Sequence, residues 1–316
     1  MGKFVLRSVA RAVFVILVTS LGALVAVSEL GDPFETIGPR MQDPRTRRNL
    51  NEIFGLDQPL AVRYVHFLSN LVTGNLGVDL RNRRPVIDLL AEAAPNTLRL
   101  ALAAMLVQVV FGITLGVLAA WFRHSFADVV ITSAVVVLVS IPTVVVGVTL
   151  RDTLSGVKVF GWAAFPLLPR TIGVQSSWLQ NMILPATVLG VHALAFVVIM
   201  TRGSMIEVLD ADYIRSARAK GLSERKVVFK HAARNALIPV TELMGMQLGA
   251  LMGGTVVVET IFQYPGLGYL FVRSMNENNH PVMIVVAVYS VVLFVVVLMI
   301  VDIVTAWLDP RIRALD

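Results

Sequence analysis

Residues 282–301 read VMIVVAVYSVVLFVVVLMIV, twenty residues without a charge, fifteen of them Val, Leu, Ile or Phe. Wound as a helix, such a run crosses roughly 30 Å of hydrocarbon. At roughly −0.4 kcal/mol for each large apolar residue, its insertion gains on the order of −6 kcal/mol. Water offers nothing comparable to such a segment, so the solvent for this stretch is lipid. The whole chain repeats the message. Of its 316 residues, 56% are apolar and 15% charged, against about 45–50% and about 25% in soluble domains. A soluble enzyme or a disordered chain is excluded on that ground. The sequence has no Cys, which removes disulfides, thiolate metal sites and a Cys nucleophile.

Working outward, 9–28, 98–122, 129–150 and 183–200 pass the same test. A sixth span, 239–258, carries Glu242 and Gln247, and a charge at mid-membrane costs roughly 2.5–3.5 kcal/mol. Its glycines offer compensation: Gly245, Gly249 and Gly253 recur every fourth residue, with Gly254 adjacent, so that a neighbouring helix can approach closely. The expectation is an all-α membrane protein of six transmembrane helices forming one transmembrane domain over 1–316. The length of the first span favours a retained helix over a cleavable signal peptide.

The net charge of +6 comes from 27 Lys and Arg against 21 Asp and Glu. Their placement points to topology and not to nucleic acid. Eight of the cations fall in the 35 residues 202–236, which the positive-inside rule assigns to the cytoplasm together with both termini. The long segment 29–97 is then extracytoplasmic. It opens on the turn Gly31-Asp32-Pro33 and carries one amphipathic face, Leu60, Tyr64, Phe67, Leu68, Leu71 and Val72. That face suits either the outer membrane surface or packing within the protein.

The inner segment DADYIRSARAKGLSERKVVFKHAARNALIP, 210–239, divides into two helical pieces at Gly221, with Ser223 placed to cap the second and Pro239 to start the fifth span. Its cations interleave with Ala217, Val227, Val228, Phe229 and Ala233. Two readings are open at this level, binding to anionic lipid and docking into a groove of a soluble partner.

The Gly221 element, followed eighteen residues later by Pro239, resembles the EAA loop of bacterial ATP-binding-cassette importer permeases. DYIRSARAKGL and HAARNALIPV are similar to the dipeptide, oligopeptide and nickel branch of that family. GLDQPLAVRY, GNLG, APNTLRLAL, GALMGGTVVVETIFQYPGLG and LDPRIR resemble it in the same order, so the likeness covers nearly the whole chain. One position departs: where the general pattern has Glu-Ala-Ala, this chain has Arg215, Ser216 and Ala217. The acidic contact of the wider superfamily therefore does not carry over to Arg215.

The resemblance implies half of an importer in a bacterial plasma (inner) membrane. Its expected partners are a second, homologous permease in a heterodimer, two ATPase subunits, an extracytoplasmic substrate-binding protein and a peptide substrate. It implies that Asp212, Tyr213, Arg215, Ala217, Ala219, Gly221, Leu222 and Ser223 couple the chain to the ATPase. Gly245, Gly249, Gly253 and Gly254 are expected along the path, and Glu259, Phe262, Tyr264 and Pro265 near the outer gate. ATP and Mg are expected on the ATPase subunits and no cofactor in this chain. The residues agree, since none of the five lysines, Lys3, Lys158, Lys220, Lys226 and Lys230, stands in a Gly-Lys-Ser/Thr phosphate loop.

No paired carboxylates or Ser/His/Asp arrangement marks a catalyst. His66, His124, His192, His231 and His280 lack metal-ligand spacing; His192, within the fourth span, reads as a packed core residue. A nickel or other small-solute permease is the nearest alternative function. An ion-coupled secondary transporter is more distant, because only Glu242 and Gln247 supply polar groups in a span.

Overall fold

The computed structural model describes residues 2–28, 58–79, 81–154, 158–159, 162–163 and 178–308. Thirteen α-helices occur among these residues, with one two-residue β-ribbon pairing Lys158–Val159 (β1) with Trp162–Ala163 (β2). Four helical runs are long and apolar enough to cross a membrane, and up to six if each of two bent pairs is one span. Apart from that ribbon the regular structure of the described residues is helical, that of an α-helical membrane protein. The turn at Gly31 and the terminal LDPRIR motif beyond Leu308 lie outside the described residues.

Two compact units are distinguished, one of Met1–Thr97 with Pro265–Ile303, the other centred on Leu98–Tyr264. In the first, α1 (Gly2–Ser28) turns its hydroxyls back on its own carbonyls. Ser20 Oγ donates to Leu17 O at 3.0 Å, so this hydroxyl is not left unpaired in an apolar setting. The amphipathic helix α2 (Leu60–Thr73) packs on α1 through Phe67, while Tyr64 Oη donates to Leu17 O at 2.7 Å. Of the two readings of that face, packing within the protein holds for Tyr64, Phe67 and Leu71; Leu60 is exposed. Phe67 and Leu24 share a core with Val86, Leu90, Leu267 and Val282–Val286. Thr97 Oγ1 accepts the Leu267 N–H that opens α12 (Leu267–Asn276), and α13 (His280–Leu308) contains the deciding apolar run.

The helix read as 98–122 starts twelve residues earlier. It comprises α3 (Val86–Val107), a π-helical turn (Gln108–Gly112) and α4 (Ile113–Trp121). Hydrocarbon length sets only where a helix may cross, and here the fully buried Val86 and Leu90 extend it beyond that limit.

In the second unit the run read as the span 129–150 is built of two helices. They are α5 (Phe126–Ser140) and α6 (Thr143–Leu154), bent by 94° at Ile141-Pro142. Proline has no N–H to donate and its ring pushes the preceding residue out of the helical region. Ile141 accordingly sits at φ −84°, ψ 125°. The fourth span is likewise a pair, α7 (Trp178–His192) and α8 (Leu194–Leu209), bent by 51° at Ala193. Half-buried His192 is the last residue of α7.

The π-helical turn and α4 lie close against α8. A Cβ on Gly116 would lie 2.5 Å from Thr201 Cβ and one on Gly112 would lie 2.6 Å from Val197 Cγ1. Glycine spaced by four opens a groove into which the facing side chains drop.

Candidate coupling site

The segment singled out by its charges forms α9 (Asp212–Ala219), a tight turn, and α10 (Glu224–Lys226) running through a π-helical stretch (Val227–Ala232) into α11 (Ala233–Phe262). An isolated eight-residue helix is marginal in water, so α9 depends on its packing. Ile214 is fully buried among Val117, Ala120, Met205, Leu209, Val227 and Val228; burying such a side chain contributes about 1.5–3 kcal/mol. Ala217 and Leu222 pack at the edge of the same cluster.

Gly221 ends the helix at φ +78°. Its N–H donates to Arg218 O at 2.9 Å and the Leu222 N–H to Ala217 O at 3.4 Å. These are the two bonds of a Schellman turn, whose C′ position, here Gly221, favours a left-handed residue. An Arg218–Glu224 ion pair at 2.7 Å closes the turn, and Asn235 Nδ2 donates to Tyr213 Oη at 2.8 Å, tying α9 to α11. Ser223 stands at the N-cap position of α10 with extended backbone, yet its side chain makes no cap hydrogen bond. That corrects the capping expectation. Pro239 does not begin a helix either; it lies inside α11, in a run continuous from Glu224 to Phe262 over 39 residues.

Of the eight expected coupling residues, Asp212, Tyr213, Arg215, Ala219, Gly221 and Ser223 are exposed, whereas Ala217 and Leu222 are half-buried and hold α9 to the body. Among the described residues Arg215 bonds Asp212, one helical turn before it, at 3.2 Å with both side chains largely exposed. Such a pair contributes at most about 1 kcal/mol and leaves the guanidinium available.

Two ion pairs behind α9 escaped the sequence reading. Arg202 forks onto Asp128 with Nε–Oδ1 2.6 Å and Nη2–Oδ2 2.7 Å, and Asp128 also accepts the His124 N–H at 3.1 Å. Arg123, from the turn between α4 and α5, donates to both oxygens of Asp210 at 2.8 and 2.9 Å. Together they fasten the α4–α5 turn to α8 and to the residue that leads into α9. Partners 74 and 87 residues apart leave no periodic trace. The Gly112-x-x-x-Gly116 spacing was the one legible signal for this packing.

Along α11 the glycines differ. Gly249 is buried, Gly245 and Gly254 are half-buried, and a Cβ on Gly254 would meet Leu189 Cδ1 at 3.2 Å. Around Gly253 no atom lies within 4 Å of that position. It belongs to an exposed stripe with Ile238, Glu242, Met246, Ala250 and Val257. Gln247, one face away, is buried with its Nε2 unpartnered.

At the far end of α11, Glu259, Phe262 and Tyr264 are buried. Both rings sit in a core with Leu100, Leu184, Leu189, Leu251 and Val258. The Tyr264 N–H donates to Glu259 O at 2.8 Å. Burial pushes the Tyr264 hydroxyl above the usual tyrosine value, and the Glu259 carboxylate adds to the shift. Arg151 Nη1 donates to Ile261 O at 3.0 Å, holding the helix end. Pro265 is exposed. Among the described residues no group of His, Cys, Asp and Glu is arranged to hold a metal ion.

Residues 112–314 match the family described as the binding-protein-dependent transport system inner membrane component. The chain belongs to this family. It is a multi-pass inner-membrane permease component of an ABC importer, which works with an ATPase and a substrate-binding protein. Curated relatives agree. The permease is 38% identical over 283 residues to the glutathione transport system permease protein GsiC of Escherichia coli strain K12, covering 90% of this chain and 89% of that protein. The protein of the same name from Shigella dysenteriae serotype 1 matches with the same figures. A solved structure, inward-facing conformations of the MetNI methionine ABC transporter, superposes with a TM-score of 0.57 at 21% identity, over 71% of the permease and 98% of that chain. That likeness supports the fold.

Proposed function

We propose that this permease forms half of the translocation path for di- and oligopeptides, and that residues 210–223 seat in a cleft of the ATPase that drives it. The observation that carries the docking reading is the two-sidedness of α9. Its inner side is clamped by Ile214, the Schellman turn and the Tyr213–Asn235 bond, while Asp212, Arg215 and Ser223 stand bare. A surface built this way moves as a body when pushed. Because α10 runs without a break into α11, displacement at Gly221 reaches the exposed stripe of Met246, Ala250 and Gly253. There, in this reading, a second homologous permease completes the path. ATP drives transport by favouring the outward state over the inward one, since equal affinity for both would shift nothing.

The remaining assignments belong to the same proposal. Two ATPase subunits bind ATP and Mg, this chain catalyses no reaction, the permeases pair as a heterodimer, and both termini are cytoplasmic. Glu259, Phe262, Tyr264 and Pro265 form the outer closure, a role that the burial of the first three supports. The peptide assignment is favoured over nickel because the relatives are named for glutathione, itself a tripeptide.

The chain has no Cys, so a cysteine placed at Asp212, Arg215 or Ser223 is unique. Each should cross-link to the ATPase in the assembled complex, and one at buried Ala236 should not. Failure at all three exposed positions overturns the docking reading. Uptake of labelled peptides, competed by glutathione and by nickel, tests the substrate; competition by nickel alone would reverse that assignment.

A further inference from the structure

The basic segment contains a second surface, which the coupling reading does not use. Trp121 ends a membrane-length helical run, and the ring of Phe229 meets it edge-on at 5.6 Å, so Phe229 lies at the same depth as that helix end. Phe122 stacks on Trp121 at 5.5 Å. These rings are not hidden: Phe122 is 48% exposed, Phe229 51%, and Phe126, just across the turn, 84%. The amphipathic indole of Trp121 at a helix end marks the headgroup level of a bilayer, and exposed Phe rings beside it suit the boundary between headgroups and acyl chains.

Cations surround them. Arg225 and Lys226 stand one helical turn before Phe229 and Lys230 directly follows it, all exposed. None has an ion pair among the described residues. The acids of this end are occupied elsewhere. Of the five carboxylates within 121–130 and 202–234, Asp128, Asp210, Asp212 and Glu224 pair with Arg202, Arg123, Arg215 and Arg218. Glu207 alone remains against the three free cations of the rim.

We propose that the rim formed by Trp121, Phe122 and Phe229 with Arg225, Lys226 and Lys230 binds the headgroup of an anionic phospholipid. The rings place the site in the interface, and the ammonium groups, on flexible apolar stems, can extend to the phosphate. The charges of 202–236 thus divide at the Gly221 turn. Those on α9 face the aqueous partner; those beyond Ser223 face the bilayer. The assignment rests on the membrane helices and not on docking to the ATPase.

A direct test uses the full chain in nanodiscs with Trp121 as its single tryptophan, the others (Trp162, Trp178 and Trp307) being replaced by Phe. Its fluorescence is quenched by brominated phosphatidylglycerol or, at equal mole fraction, by brominated phosphatidylcholine. The anionic lipid should quench severalfold more. R225Q, K226Q and K230Q should each lower that preference, and the three together should bring quenching by the two lipids to parity. K226R with K230R should retain the preference, and R215Q on α9 should leave it unchanged. Equal quenching by the two lipids would overturn the proposal, as would a preference that survives the three substitutions together. Loss of quenching by both lipids when the ATPase subunit is added would also overturn it, by placing the protein partner on the rim. Cross-linking from an Arg215 cysteine should persist in the triple variant, which separates failure of the lipid site from failure of docking.

Discussion

Gly221 adopts φ +78°, and nothing within 4 Å obstructs a Cβ at that position. The cost of replacing it is therefore purely conformational, about 1–2 kcal/mol for a left-handed residue with a side chain. Gly221→Ala should lower peptide-stimulated ATPase turnover and uptake while membrane insertion and yield stay normal, and Gly221→Asn, which tolerates this region, should recover most of the loss. Uptake unchanged in Gly221→Ala would show that the turn bears no load. Asp128 is a different case. Buried with Arg202 on two short bonds, it cannot lose its partner without stranding a charge, so Arg202→Gln should destabilise by about 3–5 kcal/mol, seen as a lower thermal midpoint in detergent. Arg123→Gln, which frees a largely exposed pair, should cost no more than about 1 kcal/mol. Tyr264 provides a pH signature. Its hydroxyl is held above the ordinary value, so above about pH 10 an unfolded tyrosine ionises before the folded one and stability falls. Tyr264→Phe should flatten that alkaline fall in thermal melts between pH 9 and 11.

The elements make a sharper contrast between glycines that look alike in sequence. Gly116 faces Thr201 with a would-be Cβ separation of 2.5 Å, whereas a Cβ on Gly253 would meet no atom of the described residues within 4 Å. Gly116→Val should overpack the α4–α8 contact by about 1–3 kcal/mol and reduce the folded yield. Gly253→Val should leave the isolated subunit folded and, if the stripe meets a second permease, reduce recovery of the dimer on size exclusion. Which glycine face matters was not legible from the four-residue spacing, because Gly245, Gly249 and Gly253 read as one packed face, while α11 buries Gly249 and exposes Gly253. The break in the third span was written plainly in Ile141-Pro142, but a hydropathy window averages over a proline. Ser223 shows the reverse failure, since a residue of the right type at the right position makes no side-chain cap; the Arg218–Glu224 pair secures the turn instead.

For the whole molecule, the charge division at Gly221 predicts two separable phenotypes. Variants on the exposed face of α9 should lose cross-linking to the ATPase and keep lipid preference, and variants at Lys226 and Lys230 should do the converse. Helical class, the apolar runs long enough to cross a membrane and the position of the turn at Gly221 were all determined by sequence alone. Each depends on local composition, because twenty apolar residues or one left-handed glycine act on a single stretch of chain. The tertiary structure alone decided that α10 and α11 are one continuous helix, that Ile214 anchors α9, and that Arg123 and Arg202 reach Asp210 and Asp128. Those contacts join residues far apart in the chain, and their energy comes from burial and charge pairing, which exist only once the helices have packed.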